Sequence, residues 1–415
     1  MLAIVLAIAG TKMVPKRMIS VDEALSRIAA AVTPLPVETV AVSVALGRVL
    51  AQPVQTAHPL PLFDQSAVDG YALRHADLAQ LPARLPLGAT VAASAQAERP
   101  IVAPGTAARI LTGGLLPQGA DTVVRQELTR REDGHVVVLE SVAAGADVRR
   151  MGEEMAAGAL VAEAGSRVTP GLAGALALAG ARRIAVRALP RIVVLVTGDE
   201  IVPHGAPLKL GQVPDANGPL LGAYLAQWDC APLRTDYVAD REDSVRAALA
   251  RAFADADIVL SSGGVSVGDY DFIPSVAEAL GAERVLWKVA QKPGMPLYVA
   301  RRGRTLLFGL PGNPASVLVN LHVYVRHALD LMLGLEPAHR WQRALAPETL
   351  KREAHKTFWL RAVATTDVRG QLQLQPLRGQ ASHMLGNLAR ANALARVPAL
   401  HEDAAADVLS WIALG

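Results

Sequence analysis

The sequence of 415 residues contains little cysteine, few aromatic residues and little charge. Its single cysteine, Cys230, excludes an intrachain disulfide framework, cysteine-ligated zinc and protein-ligated iron–sulfur clusters. Cys230 follows an apolar helical pattern, which indicates buried packing and not a nucleophile. Aromatic residues make up 4%, too few for a protein that stacks many nucleic-acid bases. The net charge is only +3 and no basic cluster occurs, which argues against a nucleic-acid binder.

Long hydrophobic runs are also missing. The first residues, MLAIVLAIAG, are apolar, but a membrane span takes roughly 20 residues. Lys12, Lys16 and Arg17 follow this run, whereas a secretory signal has its positive charge in front. We therefore expect translation to start at Met13 or Met18; a weak export signal and an added strand are the alternatives. Because 51% of the residues are apolar, we expect a multidomain cytoplasmic protein with sizeable cores and no membrane association.

The secondary-structure pattern changes along the chain. Ser20 and Glu23 have the spacing of a capping box and predict the start of a helix. Residues 34–150 are rich in Pro, Gly and short β-branched runs, which predicts small β-rich domains with a hairpin turn at Asp133-Gly134.

After residue 190 strands alternate with helices, which predicts a mostly parallel, doubly wound α/β sheet. Within it, Asn217 is predicted to cap one helix, and Asn313-Pro314 is predicted to begin a long helix that ends near Leu333. Short strands return after Pro337 and predict a small C-terminal β-domain.

Three turns follow strands of the predicted sheet, where α/β proteins bind their ligands. They are TGDE (Thr197–Glu200), SSGGVSVGDYD (Ser261–Asp271) and GLPGNPAS (Gly309–Ser316). Glycines let backbone N–H groups approach a phosphate closely, so the turns together predict an anion site. The candidate binding residues are Gly263, Gly264, Ser266, Gly312, Asn313 and Ser316.

Charged residues lie beside these turns. Glu200, Asp240 and Asp271 stand at or just after strand ends and offer the hard oxygen ligands that Mg²⁺ prefers, although helix capping also explains Asp240 and Asp271. Lys288 and Lys292 lie just before a Pro-Gly turn and suggest an anion clamp, with solvated surface lysines as the alternative. A G-x-x-x-x-G-K-[ST] loop is missing, which argues against an ordinary ATPase or GTPase.

Nine strings in the same order resemble the molybdopterin molybdenumtransferase family, which is related to the C-terminal portion of gephyrin. They are ISVDEAL, FDQSAVDGYA, RILTGGLLPQGADTVV, VRRMGEE, VLVTGDE, SSGGVSVGDYDF, WKVAQKPGMP, GLPGNPASV and ASHMLGNLARANAL. Each string alone is weak evidence for the family, but nine strings in order, from Ile19 to near the C-terminus, are highly specific.

The resemblance implies an enzyme that inserts molybdenum from molybdate into adenylylated molybdopterin, with Mg²⁺ assistance and release of AMP. It implies a cytoplasmic homodimer, with the adenylyltransferase and acceptor molybdoenzymes as further partners. The implied domains are an elongated domain I (residues 18–50 and 145–185), a β-rich domain II (51–144), an α/β molybdopterin-binding domain III (186–335) and a β-barrel domain IV (336–415).

The resemblance also carries residue roles onto this sequence. The implied catalytic residues are Asp69, Thr112, Glu200, Asp240, Asp271, Lys288 and Lys292, and the implied C-terminal anion binders are Arg361 and Ser382. On this basis Lys292, Arg361 and Ser382 are predicted to bind molybdate, while the carboxylates organise Mg²⁺ and pyrophosphate. Two of the departures from the family concern charged positions: Glu154 replaces an Asp, and Met295 replaces a lysine on the molybdate side of the pocket.

Two other functions stay open at this point. A molybdopterin adenylyltransferase would account for Pro190–Leu333 but leaves the remainder of the chain without a purpose. A non-enzymatic scaffold resembling the related part of gephyrin would not require the carboxylate and lysine set that this chain retains.

Overall fold

A computed structural model of the chain describes residues 18–95, 98–265, 271–345, 350, 352–400, 402 and 408–415. Of the predicted residues, Met13, one of the two expected translation starts, and Ser266 lie outside the described residues. The chain forms two compact units. We call Glu38–Val186 the β-rich unit, and the chain up to Val37 together with Arg187–Gly415 the α/β–barrel unit. The four-domain division stays a prediction.

The first helix, α1 (Val21–Ala31), belongs to the α/β–barrel unit. Its predicted N-cap is confirmed, because the Ser20 hydroxyl accepts a hydrogen bond from the N–H of Glu23 at 3.1 Å. The Glu23 carboxylate does not close a capping box; it accepts a hydrogen bond from Arg27 at 2.6 Å. The helix buries one face, formed by Val21, Ala24, Ile28 and Ala31.

The β-rich unit is built around one six-stranded sheet with the order β7-β4-β6-β5-β9-β8. Its elements are β1 (Val37–Ala41), β2 (Val54–Gln55), β3 (Gln65–Ser66), β4 (Gly70–Leu73), β5 (Ala83–Val91), β6 (Ala107–Ile110), β7 (Thr122–Arg125), β8 (Thr129–Glu132), β9 (His135–Val138), β10 (Val148–Arg149), β11 (Leu160–Ala162), α2 (Pro170–Leu178) and β12 (Arg183–Arg187). Short two-stranded pairs join β1 to β12, β10 to β3 and β11 to β2. The predicted hairpin is confirmed between β8 and β9, where Asp133 (φ 42°) and Gly134 (φ 74°) both adopt the left-handed conformation that such a turn requires.

The α/β part of the other unit contains a second six-stranded sheet with the order β16-β13-β17-β21-β20-β18. Its elements are β13 (Ile192–Thr197), β14 (Ile201–Val202), β15 (Val213–Pro214), α3 (Asn217–Gln227), β16 (Arg234–Val238), α4 (Glu242–Asp255), β17 (Ile258–Ser262), α5 (Phe272–Ala279), β18 (Glu283–Trp287), β19 (Gln291–Lys292), β20 (Tyr298–Arg302), β21 (Thr305–Leu310), α6 (Pro314–Asn320) and α7 (Arg326–Leu333). β16, β13, β17 and β21 pair in parallel, while β20 runs antiparallel to both of its neighbours, β21 and β18, so the predicted mostly parallel sheet is confirmed. Every residue of β13, β17 and β21 is buried, which explains their continuous apolar sequences.

The predicted long helix after Asn313 is confirmed, with one irregularity. A π-helical segment, Leu321–Val325, connects α6 to α7, and Gly334 ends the run in the left-handed conformation (φ 76°). His322 lies in this segment and is 3% exposed. Its ring packs edge-on against Tyr224 and Trp228, with centroid distances of 4.5 and 5.1 Å.

The C-terminal strands close into a five-stranded barrel, which confirms the predicted β-domain. The strands are β22 (Gln342–Leu345), β23 (Thr357–Thr366), β24 (Leu372–Pro376), β25 (Ala393–Val397) and β26 (Val408–Ala413). Closure results because β23 pairs with both β24 and β25, while β22 pairs with β24 and β26 and β26 pairs with β25. The short strand β19 adds to β23 in parallel and so joins the α/β part to the barrel. Within the described ranges, no helix combines the length and apolarity needed to cross a lipid bilayer.

Replacing His322 with Phe is expected to reduce the acid sensitivity of the fold. Burial, with the nearby charges of Arg340 and Arg326, lowers the pKa of His322 from 6.5 to about 3. Below pH 6.5 the unfolded chain therefore binds a proton on this imidazole, whereas the folded chain binds it only near pH 3. The free energy of unfolding consequently decreases as the pH falls below 6.5. At pH 5 this loss amounts to about 2 kcal/mol.

The measurement is the free energy of unfolding in denaturant at pH 7.5 and pH 5.0. His322→Phe should lose about 2 kcal/mol less than the parent between these pH values. The matched control is His204→Phe, at an exposed position of the same unit. An equal loss in the parent and in His322→Phe would contradict the assignment.

Candidate functional site

A cavity of about 660 Å³ opens at the carboxyl edge of the parallel strands. Because β13, β17 and β21 are neighbours and run in the same direction, the turns that follow them meet at this edge. We call it the first cavity. The predicted site residues that line it are Glu200, Asp240, Gly263, Gly264, Asp271, Gly312 and Asn313. The structure thus brings together residues from all three turns found in the sequence.

The turn after β17 needs glycine for a steric reason. Gly263 has φ +97°, and a Cβ there would lie 2.6 Å from the Thr197 hydroxyl oxygen. The N–H of Gly263 donates to the carbonyl of Leu310 at 2.9 Å, which ties this turn to the end of β21. The glycine therefore allows three strand ends to approach each other closely.

A polar network that contributes to the lining of the first cavity was not predicted from the sequence. The Asp215 carboxylate accepts hydrogen bonds from the N–H groups of Asn217 and Gly218, at 2.9 and 3.0 Å. It also accepts one from the Tyr237 hydroxyl at 2.9 Å, and burial together with this carboxylate raises the pKa of Tyr237 to about 12. The prediction that Asn217 caps α3 is wrong, because Asp215 satisfies the free N–H groups and Asn217 is the first helical residue.

The Asn217 side chain has a different function. Its amide donates to the Ser262 hydroxyl at 2.7 Å and to the Gly312 carbonyl at 2.8 Å. Asn217 therefore connects the second and third turns. The only sequence signal was a polar residue at a helix start, which is the usual signature of a cap.

The carboxylates of the first cavity repel one another. Burial, followed by the negative charges of Asp199, Glu200 and Asp271, raises the pKa of Asp240, although the N–H of Asp199 donates to it at 3.3 Å. Over the described part of the chain, no three His, Cys, Asp or Glu side chains are positioned to hold a metal by themselves. The cavity thus concentrates negative charge without forming a complete metal cage.

A second cavity of about 260 Å³ collects groups that bind anions. Its described lining includes Lys292, Met295, Asn313, Ser316, Lys356, Gln380 and Ser382. Asn313 lines both cavities, and its side-chain amide donates to the Ser382 hydroxyl at 3.3 Å. This contact brings the predicted C-terminal binder Ser382 to the third turn. The Lys292 ammonium lies 3.3 Å from the Glu353 carboxylate, and both side chains are largely exposed.

Arg361 and Lys288 are not among the described residues that line either cavity. Arg361 is completely buried in β23, where one terminal nitrogen donates to the carbonyls of Gly379 and Ala381 at 2.6 and 3.2 Å. Its Nε and Nη1 have no hydrogen-bond partner among the described residues, and burial lowers its pKa. Lys288 has φ 68°, and its ammonium lies 5.4 Å from the centre of the Trp287 ring.

Gln291 holds in place the turn at residues 292–295, which we call the lysine turn. Its amide nitrogen donates to the Gly294 carbonyl and the Asn320 side-chain oxygen, at 2.9 and 2.8 Å. Its amide oxygen accepts from the Tyr324 hydroxyl at 2.6 Å and from the Trp359 indole at 2.9 Å. These bonds satisfy the whole amide, which is 1% exposed, and they connect the turn to the helix region and to the barrel.

The predicted residues of the β-rich unit form their own pair. One oxygen of the exposed Asp69 carboxylate accepts hydrogen bonds from the N–H and the hydroxyl of Thr112, at 2.8 and 2.7 Å. These two bonds, with the charge of Arg109, lower the pKa of Asp69. Glu154 is exposed, and its N–H donates to the Leu60 carbonyl at 3.0 Å.

Comparison with known proteins gives a consistent result along the chain. Three protein-family models match: "MoeA N-terminal region (domain I and II)" over residues 19–180, "Probable molybdopterin binding domain" over 193–331 and "MoeA C-terminal region (domain IV)" over 343–407. The chain is 36% identical to a molybdopterin molybdenumtransferase of Nostoc sp. (85% of this chain and 83% of the relative). It is 32% identical to the one of Haemophilus influenzae (90% and 93%).

A solved structure has the same overall fold as this chain. A molybdopterin biosynthesis MoeA protein from Pyrococcus horikoshii OT3 superposes with a TM-score of 0.81 and 25% identity, over 96% of this chain and 100% of that one. The predicted multidomain fold, an α/β domain with β-rich and barrel parts, is therefore confirmed.

Replacing Gln291 with Leu is expected to destabilise the α/β–barrel unit by about 3 kcal/mol, because it leaves several buried polar partners unsatisfied. The measurement is the free energy of unfolding in denaturant. Gln342→Leu, at an exposed position on β22, is the matched control and should change stability by less than about 0.5 kcal/mol. Equal effects of the two substitutions would contradict the clamping role of Gln291.

Proposed function

Since this chain belongs to the molybdopterin molybdenumtransferase family, we propose that it inserts molybdenum from molybdate into adenylylated molybdopterin and releases AMP. The observation that carries the proposal is the pair of cavities that share Asn313. One is lined by carboxylates and glycine turns, and the other by lysines and hydroxyls. A nucleotide-linked substrate and a small oxyanion need these two environments side by side.

In this proposal the first cavity holds the adenylylated substrate. Backbone N–H groups of the turns that contain Gly263, Gly264 and Gly312 donate to phosphate oxygens, as glycine turns do in nucleotide sites. Asn217 keeps two of these turns at a constant separation, so the donors are oriented before the substrate arrives. Ser266, three residues after Gly263 in the sequence, is proposed to add a hydroxyl.

Mg²⁺ is part of the proposal. Glu200, Asp240 and Asp271 do not form a closed cage, but Mg²⁺ commonly binds to one or two carboxylates together with substrate phosphates. The raised pKa of Asp240 fits such a site, because a cation would relieve the repulsion among these carboxylates. Bound there, Mg²⁺ would neutralise charge on the pyrophosphate that separates when AMP departs.

The second cavity is the proposed molybdate site. Lys292 supplies charge, while Ser316 and Ser382 supply hydroxyl donors to the oxygens of the dianion. Arg361 donates to the Gly379 and Ala381 carbonyls in the loop beyond β24. We propose that its buried positive charge attracts the dianion from the other side of this loop. Lys288, Asp69 and Thr112 keep the catalytic roles that the family resemblance implies.

A homodimer is proposed from the surface of the β-rich unit. Helix α2 is apolar or glycine at all nine positions, yet only Leu176 is buried and Leu178 is 59% exposed. A helix that is hydrophobic on all sides is normally covered. Val44, on a neighbouring 3₁₀ turn, is 69% exposed, which extends the apolar surface.

The cellular setting completes the proposal. We place the protein in the cytoplasm, where a chain whose single cysteine is buried needs no disulfide. A molybdopterin adenylyltransferase would supply the substrate, and molybdoenzymes would accept the product.

Changing Asp240 and Asp271 to Asn is expected to slow AMP release by at least roughly tenfold, because the site loses the negative charge that would attract Mg²⁺. The measurement is mass spectrometry of AMP formed from adenylylated molybdopterin, with and without molybdate and at several Mg²⁺ concentrations. Asp243→Asn, at an exposed position in α4, is the control. Full AMP release by the double variant would contradict the assignment of these carboxylates.

Changing Leu178 to Glu is expected to shift the chain from dimer to monomer, because a charge would enter the proposed apolar interface. Sedimentation equilibrium of the parent and the variant measures this. Leu210→Glu, at a fully exposed position of the other unit, is the control. A monomeric parent protein would contradict the proposed homodimer.

A further inference from the structure

We propose that Lys356, from the barrel, binds the oxyanion in the second cavity directly and supplies the second lysine charge of that cavity. This inference rests on the proposed function, in which the oxyanion is molybdate. The family resemblance implies no role for Lys356.

The pairing of β19 with β23 determines which side chains share one side of this strand pair. Gln291 lies opposite Thr357, and Lys292 lies opposite Phe358. Gln291 and Thr357 are both 1% exposed, so their side of this strand pair is buried. Side chains alternate along a strand, and Lys356 is two residues before Phe358. Lys356 therefore shares the side of Lys292, and both line the second cavity.

The position of Lys292 relative to Phe358 supports this orientation. The Lys292 ammonium lies 5.8 Å from the centre of the Phe358 ring, so the two side chains extend to the same side. Lys356 approaches from the segment just before β23, while Ser382 and Gln380 contribute from the loop beyond β24. The cavity is thus bounded by the α/β part and by the barrel, which belong to one unit.

The charge around the cavity favours a second lysine beside Lys292, because the buried Arg361 does not line the cavity. Molybdate carries two negative charges, whereas Lys292 is partly neutralised by Glu353 at 3.3 Å. Met295, on the same turn, contributes an apolar wall. Among the described lining residues there is no carboxylate, and Lys356 forms no ion pair or hydrogen bond with any described residue. Lys356 is therefore the lysine of this cavity whose charge is not offset.

The arrangement has a consequence for affinity. Lys292 belongs to the turn that Gln291 anchors, and Lys356 belongs to the barrel side of the same strand pair. A dianion between the two ammonium groups would bind to both parts at once. Removing either lysine should therefore weaken molybdate binding more than it weakens binding of the nucleotide-linked substrate in the first cavity.

Isothermal titration of the full-length protein with sodium molybdate tests the proposal. Lys356→Met is expected to raise the molybdate dissociation constant by about 10- to 100-fold, as expected for loss of a charge-assisted hydrogen bond. In AMP-release assays the molybdate KM should rise similarly, while the KM for adenylylated molybdopterin changes little. Arg343→Met removes one positive charge from an exposed position on β22 and is the matched control.

Two further variants distinguish binding from folding. Lys356→Arg keeps the charge, and Met295→Lys combined with Lys356→Met moves it to the neighbouring turn; at least one of them should restore molybdate binding to within several-fold of the parent. Normal molybdate binding by Lys356→Met would overturn the proposal, and so would a loss that neither variant restores. If Lys356→Met binds molybdate normally while the parent releases AMP, the proposed function stands without this inference. A parent protein that neither binds molybdate nor releases AMP would overturn both.

Discussion

Parallel pairing of β13, β17 and β21 is the constraint on which both cavities depend. Three fully buried strands that run in the same direction must end at one edge, so their turns are close in space although they are distant in sequence. The close approach leaves no room for a side chain at Gly263, and the Asn217 amide then fixes the separation of the turns. Barrel residues reach this edge because β19 extends the barrel sheet.

Charge is separated over a short distance in this unit. The first cavity concentrates carboxylates and raises the pKa of Asp240, whereas the second presents lysines and has the uncompensated Arg361 buried nearby. Each arrangement opposes folding, since like charges repel and a buried guanidinium loses its hydration. Ligands of opposite charge would remove both costs, which is the physical link between this fold and a reaction of phosphates and oxyanions. The net charge of +3 gives no sign of this separation.

Much of the fold could be predicted because its signals are local. The Ser20 cap, the Asp133-Gly134 hairpin and the continuous apolar run of β13 are each determined by neighbours within a few residues. The prediction for Asn217 was wrong because a polar residue at a helix start fits two different functions. Asn217 has the character of a cap, but Asp215, two residues earlier, performs that function and leaves the Asn217 amide to connect the turns.

Periodicity and short ordered motifs are enough to predict the alternation of strands and helices, the family, and the residue types available for chemistry. Which of those residues meet depends on the tertiary structure. It placed Arg361 behind a loop, and it brought Lys356 to Lys292 across a strand pair. It also assigned Gln291 to clamp the lysine turn. These relations join residues separated by tens of positions, and no local pattern records them, because strand register and sheet order set the distances between side chains.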